Sequence, residues 1–590
     1  MKGGIALFFV ERYNENDMAS LKYIFVTGGV MSGVGKGVAA ASIAKILQSK
    51  GFAVTAIKID PYVNVDAGTM NPTEHGEVFV LDDGMECDQD MGNYERFLNT
   101  SLSSANYMTT GSVYLSLINR ERSLEFEGKC VEVVPHVPLE VIDRINRAAK
   151  KEKADIVIIE IGGTVGEYQN ILFLETVRMV KAKKPDDVAL VLVSYLPQQG
   201  SEGELKTKPT QYAVRTLNSA GLQPDIILAR AGIALDKRRK EKIAFNCNLD
   251  DEAVISAPDV QSIYDIPINF ERDNLSGILM KRLRIKPRKK DLKEWRAFVS
   301  KTHAVTKPVK IGIVGKYFSS GEFVLADSYI SVIEAVKHAA YANGRIPEIH
   351  WLNAGDFDPL GVGTKAAKDN LKQLKQYNGI IVPGGFGNRG IEGKISVIGY
   401  LREHKIPFFG LCYGMQLATV EFARNVAGLK GAHTTEVDKK AAHPVIDILP
   451  EQRQKMAQKE YGATMRLGAY PAVIEKGTHA HAAYKGSHFN IEGNKRRKET
   501  KLQVPADELI VFERHRHRYE VNPVYVDKLI EKGLVFSGMS PDRRLMEIVE
   551  LPKSKHPFFV ATQFHPEFTA RPLAPHPLFV AFVKATMKEK

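Results

Sequence analysis

Residues 406–419, with the sequence IPFFGLCYGMQLAT, limit what this chain can fold into more than any other stretch. The apolar run 406–409 predicts a short buried strand, and the residues from Met415 onward have the composition of a helix start. Cys412 lies between them, with Gly410 and Gly414 on either side. Glycines relieve crowding in a sharp strand-to-helix turn, and a helix N-terminus favours a thiolate. The stretch therefore predicts an α/β fold that presents Cys412 as a nucleophile, although alone it also fits a buried structural cysteine.

Two further stretches supply what a nucleophilic thiol needs. The apolar run 558–564 is followed directly by His565 and, two residues on, Glu567, which are a base and a carboxylate to orient it. Upstream, residues 380–387 (IIVPGGFG) predict a strand that ends in a glycine turn, whose backbone N–H groups suit an oxyanion. In this order the pieces resemble the class I glutamine amidotransferases. The resemblance implies that Cys412 attacks the side-chain amide of glutamine, that His565 and Glu567 complete a triad, and that the other half of the chain uses the ammonia.

Composition excludes several classes of protein. The chain has 590 residues, which is too long for one core, and its 44% hydrophobic and 25% charged content is ordinary. No run approaches the roughly 18 apolar residues of a membrane span, and residues 5–10 are too short for a signal peptide. Four scattered cysteines predict a reducing, cytoplasmic setting without disulfides or zinc. A net charge of +12 suits triphosphate ligands as well as nucleic acid, and because no aromatic-interleaved basic stripe accompanies it, we predict no nucleic-acid or membrane partner.

The N-terminal half carries a phosphate-binding pattern. A buried strand over 22–27 leads into the glycine-rich loop 28–37, and an apolar helix follows over 38–48. Backbone N–H groups, the helix N-terminus and Lys36 would together hold an anion. The loop departs from G-x-x-x-x-G-K-[ST], because Val30 stands where the first glycine belongs and Gly37 replaces the Ser or Thr. A magnesium ligand must then come from elsewhere; the alternative is a glycine turn with a solvated lysine.

Carboxylates beside this loop are candidate metal ligands. Strand 53–59 carries Lys58, and strand 155–159 is followed by Glu160. We predict that Asp90 and Glu160, each after a strand, hold Mg²⁺, because open parallel sheets bind ligands at the carboxyl ends of their strands and Mg²⁺ prefers oxygen ligands. The loop 203–211, with Lys206 and Lys208, is a candidate site for a second polyanion.

Shifts in composition divide the chain. We predict an N-terminal extension over 1–21, a synthetase domain over 22–285, a charged linker over 286–308 and an amidotransferase domain over 309–590. The His- and Lys-rich tract 476–502 lacks periodicity, which predicts a surface insertion. Neither the extension nor this tract is assigned a role.

Several blocks of sequence resemble the CTP synthase family between about residues 22 and 584. They lie at residues 23–30 (YIFVTGGV), 32–37 (SGVGKG), 58–62 (KIDPY), 68–70 (GTM), 75–78 (HGEV), 160–166 (EIGGTVG), 206–211 (KTKPTQ), 464–468 (TMRLG) and 514–520 (RHRHRYE). The resemblance implies a P-loop-like, dethiobiotin-synthetase-like parallel-sheet domain joined to a class I glutamine amidotransferase α/β domain. It also implies a ligase that performs the last step of CTP synthesis: ATP phosphorylates the C4 oxygen of UTP, and ammonia from glutamine displaces the phosphate.

The resemblance further implies roles for individual residues. Those implied in catalysis are Cys412, His565, Glu567, Lys36 and Lys58, with Asp90 and Glu160 as metal ligands. Those implied for ATP are Gly33, Val34, Gly35, Lys36, Gly37, Val38, Asp90, Pro258, Asp259 and Val260. Those implied for UTP, and for CTP as inhibitor, are Ser32, Glu167, Tyr168, Gln169, Lys206, Thr207, Lys208, Pro209, Thr210, Gln211 and Lys242. Those implied for glutamine are Gly385, Tyr413, Gly414, Met415, Gln416, Glu436 and Arg516, and His75 is implied to lie near the ammonia passage.

The same resemblance implies Mg²⁺ as cofactor, GTP as allosteric activator, a homotetramer and possible filaments. Two rival hypotheses stay open at this stage. A cobyrinate-type amidating enzyme also joins a variant phosphate loop to an amidotransferase, but has no reason to carry KTKPTQ. A non-catalytic filament subunit would be expected to have lost at least one of Cys412, His565, Glu567, Lys36 and Asp90, and all five are present.

Overall fold

The computed structural model describes residues 21–199, 203–289, 291–315, 326–385, 390–448 and 465–587. It divides into two compact units. One comprises Met1–Thr69 and Asp90–Val299, and the other Met70–Gln89 and Ser300–Lys590. Residues 70–89, which the sequence analysis assigns to the synthetase domain, therefore cluster with the C-terminal unit. The predicted extension 1–21 lies outside the described residues except for Leu21.

The first unit is built on a parallel sheet. Its central strands are apolar and buried along almost their whole length, as expected for strands covered on both faces. Among the described residues the sheet has seven strands, in the spatial order Val254–Pro258, Ile226–Ala231, Val188–Tyr195, Lys22–Gly29, Ile156–Thr164, Val54–Asp60 and Tyr107–Thr109. All neighbouring pairs are parallel. The predicted parallel-sheet domain is confirmed.

Helices cover this sheet and include part of the predicted linker. The described α-helices of eight residues or more are Lys36–Ser49, Asp90–Leu98, Thr110–Arg122, Val133–Lys151, Ile171–Lys183, Lys208–Ser219, Lys237–Cys247, Leu275–Arg282 and Lys293–Ala304. The last of these begins inside the predicted linker. Trp295 on it is buried, packs against Tyr264 and Phe97, and donates its indole N–H to the Tyr264 carbonyl at 2.9 Å. The linker is therefore a packed helix for much of its length.

The second unit has a mixed sheet. Its parallel part comprises Ile346–Asn353, Pro308–Gly315, Gly379–Val382, Phe408–Leu411 and Phe559–Thr562 in spatial order. Antiparallel strands continue it: Met546–Glu550, Val535–Met539, Arg466–Ile474 and Leu509–His517. A smaller sheet joins Ala432–Thr434, His443–Ile448 and Tyr519–Val521, and residues 70–89 form a hairpin of Phe79–Val80 and Glu86–Cys87. The predicted α/β amidotransferase fold is confirmed.

The helices of this unit include two in the His- and Lys-rich tract 476–502. The described α-helices of six residues or more after Ala304 are Ile330–Ala342, Thr364–Gln373, Ile391–His404, Tyr413–Asn425, His479–Tyr484, His488–Glu499, Val526–Glu531 and Pro577–Thr586. The tract 476–502, which the sequence predicts to be a surface insertion, contains the two helices His479–Tyr484 and His488–Glu499, although it shows no helical periodicity. Tyr484 in the first is fully buried, and Gly493 in the second lies against the backbone of Ile510.

Candidate active sites

Cys412 occupies a strained turn between the strand Phe408–Leu411 and the helix Tyr413–Asn425. Its φ of 50° and ψ of −98° are unfavourable for a residue with a side chain, and its N–H donates to the Thr562 carbonyl at 2.7 Å. A Cβ at Gly410 would lie 2.8 Å from that of Ala561, and one at Gly414 would lie 2.2 Å from the Val382 carbonyl oxygen. Both glycines are thus required by close packing, as the sequence predicted.

His565 and Glu567 form a buried pair next to the thiol. Nδ1 of the imidazole lies 2.8 Å from Oε1 of Glu567. Burial disfavours the imidazolium, but the Glu567 carboxylate and the Cys412 sulfur more than offset it and raise the pKa of His565 to about 10. Nε2 is buried and is the atom that would exchange a proton with the thiol; a hydrogen bond to Cys412 is among the causes of the raised pKa of His565. This arrangement suits a thiolate–imidazolium pair.

The glycine turn after Gly379–Val382 reaches the same place. A Cβ at Gly384 would lie 3.1 Å from Cε1 of His565 and 3.7 Å from Cβ of Cys412, so the backbone there passes against both side chains. Gly387, the last glycine of the predicted oxyanion turn, lies outside the described residues. The described part of the turn is positioned where an oxyanion would form.

A cavity opens beside the sulfur. Its lining includes Cys412, His565, Glu567, Gly384, Gly385, Arg516, Pro72, Glu77 and Val78. Gly385 and Arg516, predicted for glutamine, are among these residues, whereas Glu436 is not. Gln416 is turned to the Tyr519 carbonyl, to which it donates at 3.1 Å. His75 is exposed on the short helix Pro72–His75, in the same segment as three of the lining residues.

Successive basic side chains of the strand Leu509–His517 point to opposite faces of the sheet. Arg514 and Arg516 point to one face, where they pair with Asp82 and Glu86 of the hairpin at 2.6 and 2.7 Å. A strand places successive side chains on opposite faces, so His515 and His517 point the other way. The sequence analysis missed both hairpin acids, because nothing in the pattern of residues 70–89 indicates that they fold against the C-terminal unit.

The other face of that strand adjoins a buried charged cluster. Arg466 lies 2.8 Å from Glu547 and 3.5 Å from Glu520, and His515 Nδ1 lies 2.9 Å from His517 Nε2. Burial, opposed by the Arg466 charge, raises the pKa of Glu520 to about 8. Burial and the Arg466 charge lower the pKa of both histidines well below the usual value. The cluster therefore holds neutral histidines and a protonated Glu520 at neutral pH.

In the first unit, the glycine loop has the backbone of a phosphate cradle. Val30, which replaces the first glycine of the motif, has a φ of 80°, a conformation that favours glycine. Lys36 donates to the Gly163 carbonyl at 2.8 Å, and burial lowers its pKa. The second departure also has a steric reason, because a Cβ at Gly37 would lie only 1.9 Å from Oδ1 of Asp90. The Asp90 carboxylate fills the space of the usual Ser or Thr side chain.

Lys58, Asp90 and Glu160 meet beside that loop. The Lys58 ammonium lies 2.6 Å from Asp90 and 2.8 Å from Glu160, and Tyr94 donates to Glu160. Asp90 follows the short strand Glu86–Cys87 and begins the helix Asp90–Leu98. Glu160 was expected just after a strand but lies within Ile156–Thr164, in register with Lys58. The two carboxylates nevertheless converge on the Lys58 ammonium, and their oxygens are of the ligand type that would suit Mg²⁺. The described residues contain no group of three or more metal-ligating side chains.

Some of the residues predicted to bind nucleotides lie close to one another in the structure. A small, mainly apolar cavity joins Gly35 to Pro258 and Arg230, and Arg230 pairs with Asp259 at 2.8 Å. The sequence analysis missed Arg230, since a single arginine near the end of a strand carries no motif. Lys206 donates to Glu204 at 2.5 Å, and this hydrogen bond lowers the pKa of the Glu204 carboxyl. Lys242 lies on the helix Lys237–Cys247. Of the remaining predicted UTP residues, Ser32 lies in the glycine loop, and the others lie at the start of the helix Lys208–Ser219 or around the turn Tyr168–Asn170.

The nucleophile turn of one unit and the phosphate cradle of the other define a glutamine-dependent ligase. A family model described as CTP synthase N-terminus matches residues 22–285, and one described as class-I glutamine amidotransferase matches residues 324–585. The CTP synthase of Caldanaerobacter subterraneus subsp. tengcongensis is 49% identical over 96% of this chain and 99% of its own length. That of Pyrococcus furiosus is 48% identical over 96% of this chain and 98% of its own.

The chain belongs to the CTP synthase family. This family consists of glutamine-hydrolysing ligases that aminate UTP to CTP, and the predicted membership is confirmed in preference to a cobyrinate-type enzyme. No helix of the described ranges has the length and apolar character needed to span a membrane.

Proposed function

We propose that this chain converts UTP to CTP in two coupled steps, with ATP as phosphoryl donor and glutamine as nitrogen donor. The observation that supports this most directly is the presence, in one chain of this family, of both a triad-like Cys412–His565–Glu567 site and a phosphate cradle with Lys36. The first can release ammonia, and the second can activate an acceptor for it.

In the glutamine site, the Cys412 thiolate attacks the side-chain amide carbon. The backbone near Gly384 stabilises the oxyanion, and the His565 imidazolium gives its proton to the departing ammonia. Water then cleaves the thioester and yields glutamate. Glu567 keeps the imidazole oriented through the bond to Nδ1. Arg516 binds the α-carboxylate of glutamine, and Gly385, Tyr413, Gly414, Met415, Gln416 and Glu436 complete the proposed site.

In the synthetase site, the γ-phosphoryl group of ATP passes to the C4 oxygen of UTP. A uracil carbonyl is a poor electrophile with a poor leaving group, so phosphorylation gives the following attack by ammonia a phosphate to displace. Lys36 and Lys58 stabilise the charge on the transferring group. Asp90 and Glu160 would hold Mg²⁺, which when bound neutralises phosphate charge. Lys58 lies between these carboxylates, and this supports their convergence on a cation.

The nucleotide and regulatory assignments are part of the same proposal. ATP occupies the cradle over residues 33–38 with residues 258–260 at the adenine. UTP, and CTP as inhibitor, occupy a site that includes Lys206 and Lys242, and His75 lies near the ammonia passage. GTP activation, a homotetramer that assembles further into filaments, and a cytoplasmic location complete the proposal.

The test is an assay with purified protein, UTP, ATP, Mg²⁺ and glutamine, in which CTP and glutamate are followed together. We expect equimolar CTP and glutamate at saturating UTP and ATP, and CTP without glutamate when ammonium chloride replaces glutamine. Glutamate formation without any CTP from either nitrogen source would refute the proposed function.

A further inference from the structure

We propose that Glu86 is a positioning residue for glutamine binding: it holds the Arg516 guanidinium in the direction in which Arg516 meets the substrate carboxylate. The hairpin 70–89 lies within the residues that match the N-terminal family model, yet it belongs to the C-terminal unit. The glutamine site would therefore be completed by residues far outside the amidotransferase part of the sequence. This inference rests on the proposed role of Arg516.

The hairpin is packed firmly enough to position a partner. Its strands Phe79–Val80 and Glu86–Cys87 are antiparallel, and all four residues are buried. The Phe79 ring meets that of Phe568 edge to face, with centroids 5.1 Å apart, and Phe568 in turn stacks on His565 at 4.9 Å. The hairpin thus packs directly on the side chain that covers the catalytic imidazole.

One ion pair fixes the hairpin to the strand Leu509–His517. Arg514 is fully buried; it donates to Asp82 at 2.6 Å and to the Val80 carbonyl at 3.1 Å. Arg496 adds a second contact to Asp82 at 3.2 Å. Although burial opposes ionisation, these arginines hold the pKa of Asp82 below its ordinary value. Asp82 and Arg514 therefore anchor the hairpin in a single register.

The second ion pair reaches the active site. Glu86 Oε1 accepts from Nε of Arg516 at 2.7 Å, and the two side chains are only 8% and 11% exposed. Arg516 lines the cavity that contains Cys412, and its carbonyl oxygen lies 3.8 Å from the sulfur. A guanidinium is a rigid planar fork, so a carboxylate fixed on Nε sets the direction in which the fork meets a second carboxylate. Glu86 therefore orients Arg516 rather than touching the reacting atoms.

The opposite role of Glu86 is a testable rival. A carboxylate on Arg516 can also compete with the α-carboxylate of glutamine, in which case its removal would tighten binding. The two roles predict opposite changes in the glutamine KM of Glu86→Gln, which keeps the shape of the side chain and removes its charge. Asp83→Asn is the matched control, since Asp83 lies in the turn of the same hairpin and is exposed.

The experiment compares wild type, Glu86→Gln, Arg516→Ala, the double variant and Asp83→Asn in full-length protein. For Glu86→Gln we expect a rise in glutamine KM of about tenfold or more, the size of a lost charged hydrogen bond, with kcat within about twofold. Ammonia-dependent CTP formation should match wild type, which also shows that the variant is folded. Since Glu86 acts through Arg516, adding Glu86→Gln to Arg516→Ala should change KM no further.

Each other outcome has a definite meaning. An unchanged or lower KM in Glu86→Gln, or additive effects in the double variant, overturns the positioning role, while the proposed function survives as long as wild type makes CTP from glutamine. Failure of wild type to hydrolyse glutamine overturns both. If Glu86→Gln does not fold, Glu86→Asp replaces it; its shorter side chain cannot span the same distance to Nε, so a raised KM is again expected and an unchanged one refutes the inference.

Discussion

Replacing Gly37 by alanine is expected to disable the synthetase site through one steric contact. The new Cβ would lie 1.9 Å from Oδ1 and 2.3 Å from Cγ of Asp90, where contacts below 3.0 Å essentially do not occur. The carboxylate must therefore retreat by about 1 Å or more. It is held at 2.6 Å by Lys58 and at 3.3 Å by Asn93, and the Lys58 contact is that of a partly buried ion pair.

The size of the effect follows from that displacement. Breaking a buried ion pair costs about 3–5 kcal/mol, and this sets the upper limit for the loss of stability. A misplacement of about 1 Å in a catalytic site costs on the order of 10²-fold in rate. We expect CTP formation from glutamine and from ammonia to fall together by about that factor, whereas basal glutaminase activity stays at the wild-type level.

A double variant isolates the steric cause. Thermal unfolding should show that Gly37→Ala lowers the Tm of the wild-type protein. In an Asp90→Ala background the space is vacant, and the same change should raise the Tm, because alanine in a helix is favoured over glycine by up to about 1 kcal/mol. Equal destabilisation in both backgrounds, or full synthetase activity of Gly37→Ala, would refute the steric explanation.

Three other substitutions test the remaining parts of the molecule. Cys412→Ala should abolish glutamine-dependent CTP formation and leave ammonia-dependent formation measurable. Cys130→Ala, a change at an exposed cysteine, serves as the control. Equal loss of CTP formation from both nitrogen sources in folded Cys412→Ala would count against separate sites. Lys36→Ala should stop CTP formation from either source yet spare basal glutaminase, and continued synthesis would remove Lys36 from its role. Glu520→Gln should change how the free energy of unfolding depends on pH. Burial raises the pKa of Glu520 from its ordinary 4.5 to about 8, so between these values the folded state keeps a proton that the unfolded state releases. The stability of the wild type should therefore fall by up to about 1.4 kcal/mol per pH unit as the pH rises through that window. Melting curves from pH 5 to 9 should be flatter for Glu520→Gln than for wild type or for the exposed control Glu531→Gln, and curves of identical slope would contradict the assignment.

Local sequence patterns predicted the nucleophile turn and the phosphate loop well. At Cys412 the flanking glycines, the apolar strand and the helix start all act over a few residues, and the structure has the expected strand, turn and helix. The same holds for the strand Lys22–Gly29 and the helix Lys36–Ser49 on either side of the glycine loop. In both places the chemistry depends on backbone geometry, which short-range steric rules determine.

Contacts between residues far apart in the chain could not be predicted from the sequence. Glu160 was expected after a strand, but it sits inside one, where the register of a parallel pair places it beside Lys58. Tract 476–502 looks polar throughout, yet a few residues such as Tyr484 suffice to bury one side of two helices. The packing of the hairpin 70–89 against the C-terminal unit could not be predicted, because its partners Arg514 and Arg516 lie more than 400 residues away in the sequence.

That hairpin has a consequence for how the gene can be divided or recombined. Because residues 70–89 interrupt the N-terminal unit and pack into the C-terminal one, no single cut in the coding sequence separates two intact modules. A chimaera between relatives that exchanges only the C-terminal half would pair a foreign arginine strand with a native acidic hairpin. The hairpin and the strand Leu509–His517 depend on each other through these ion pairs, so a working exchange must carry the codons for both.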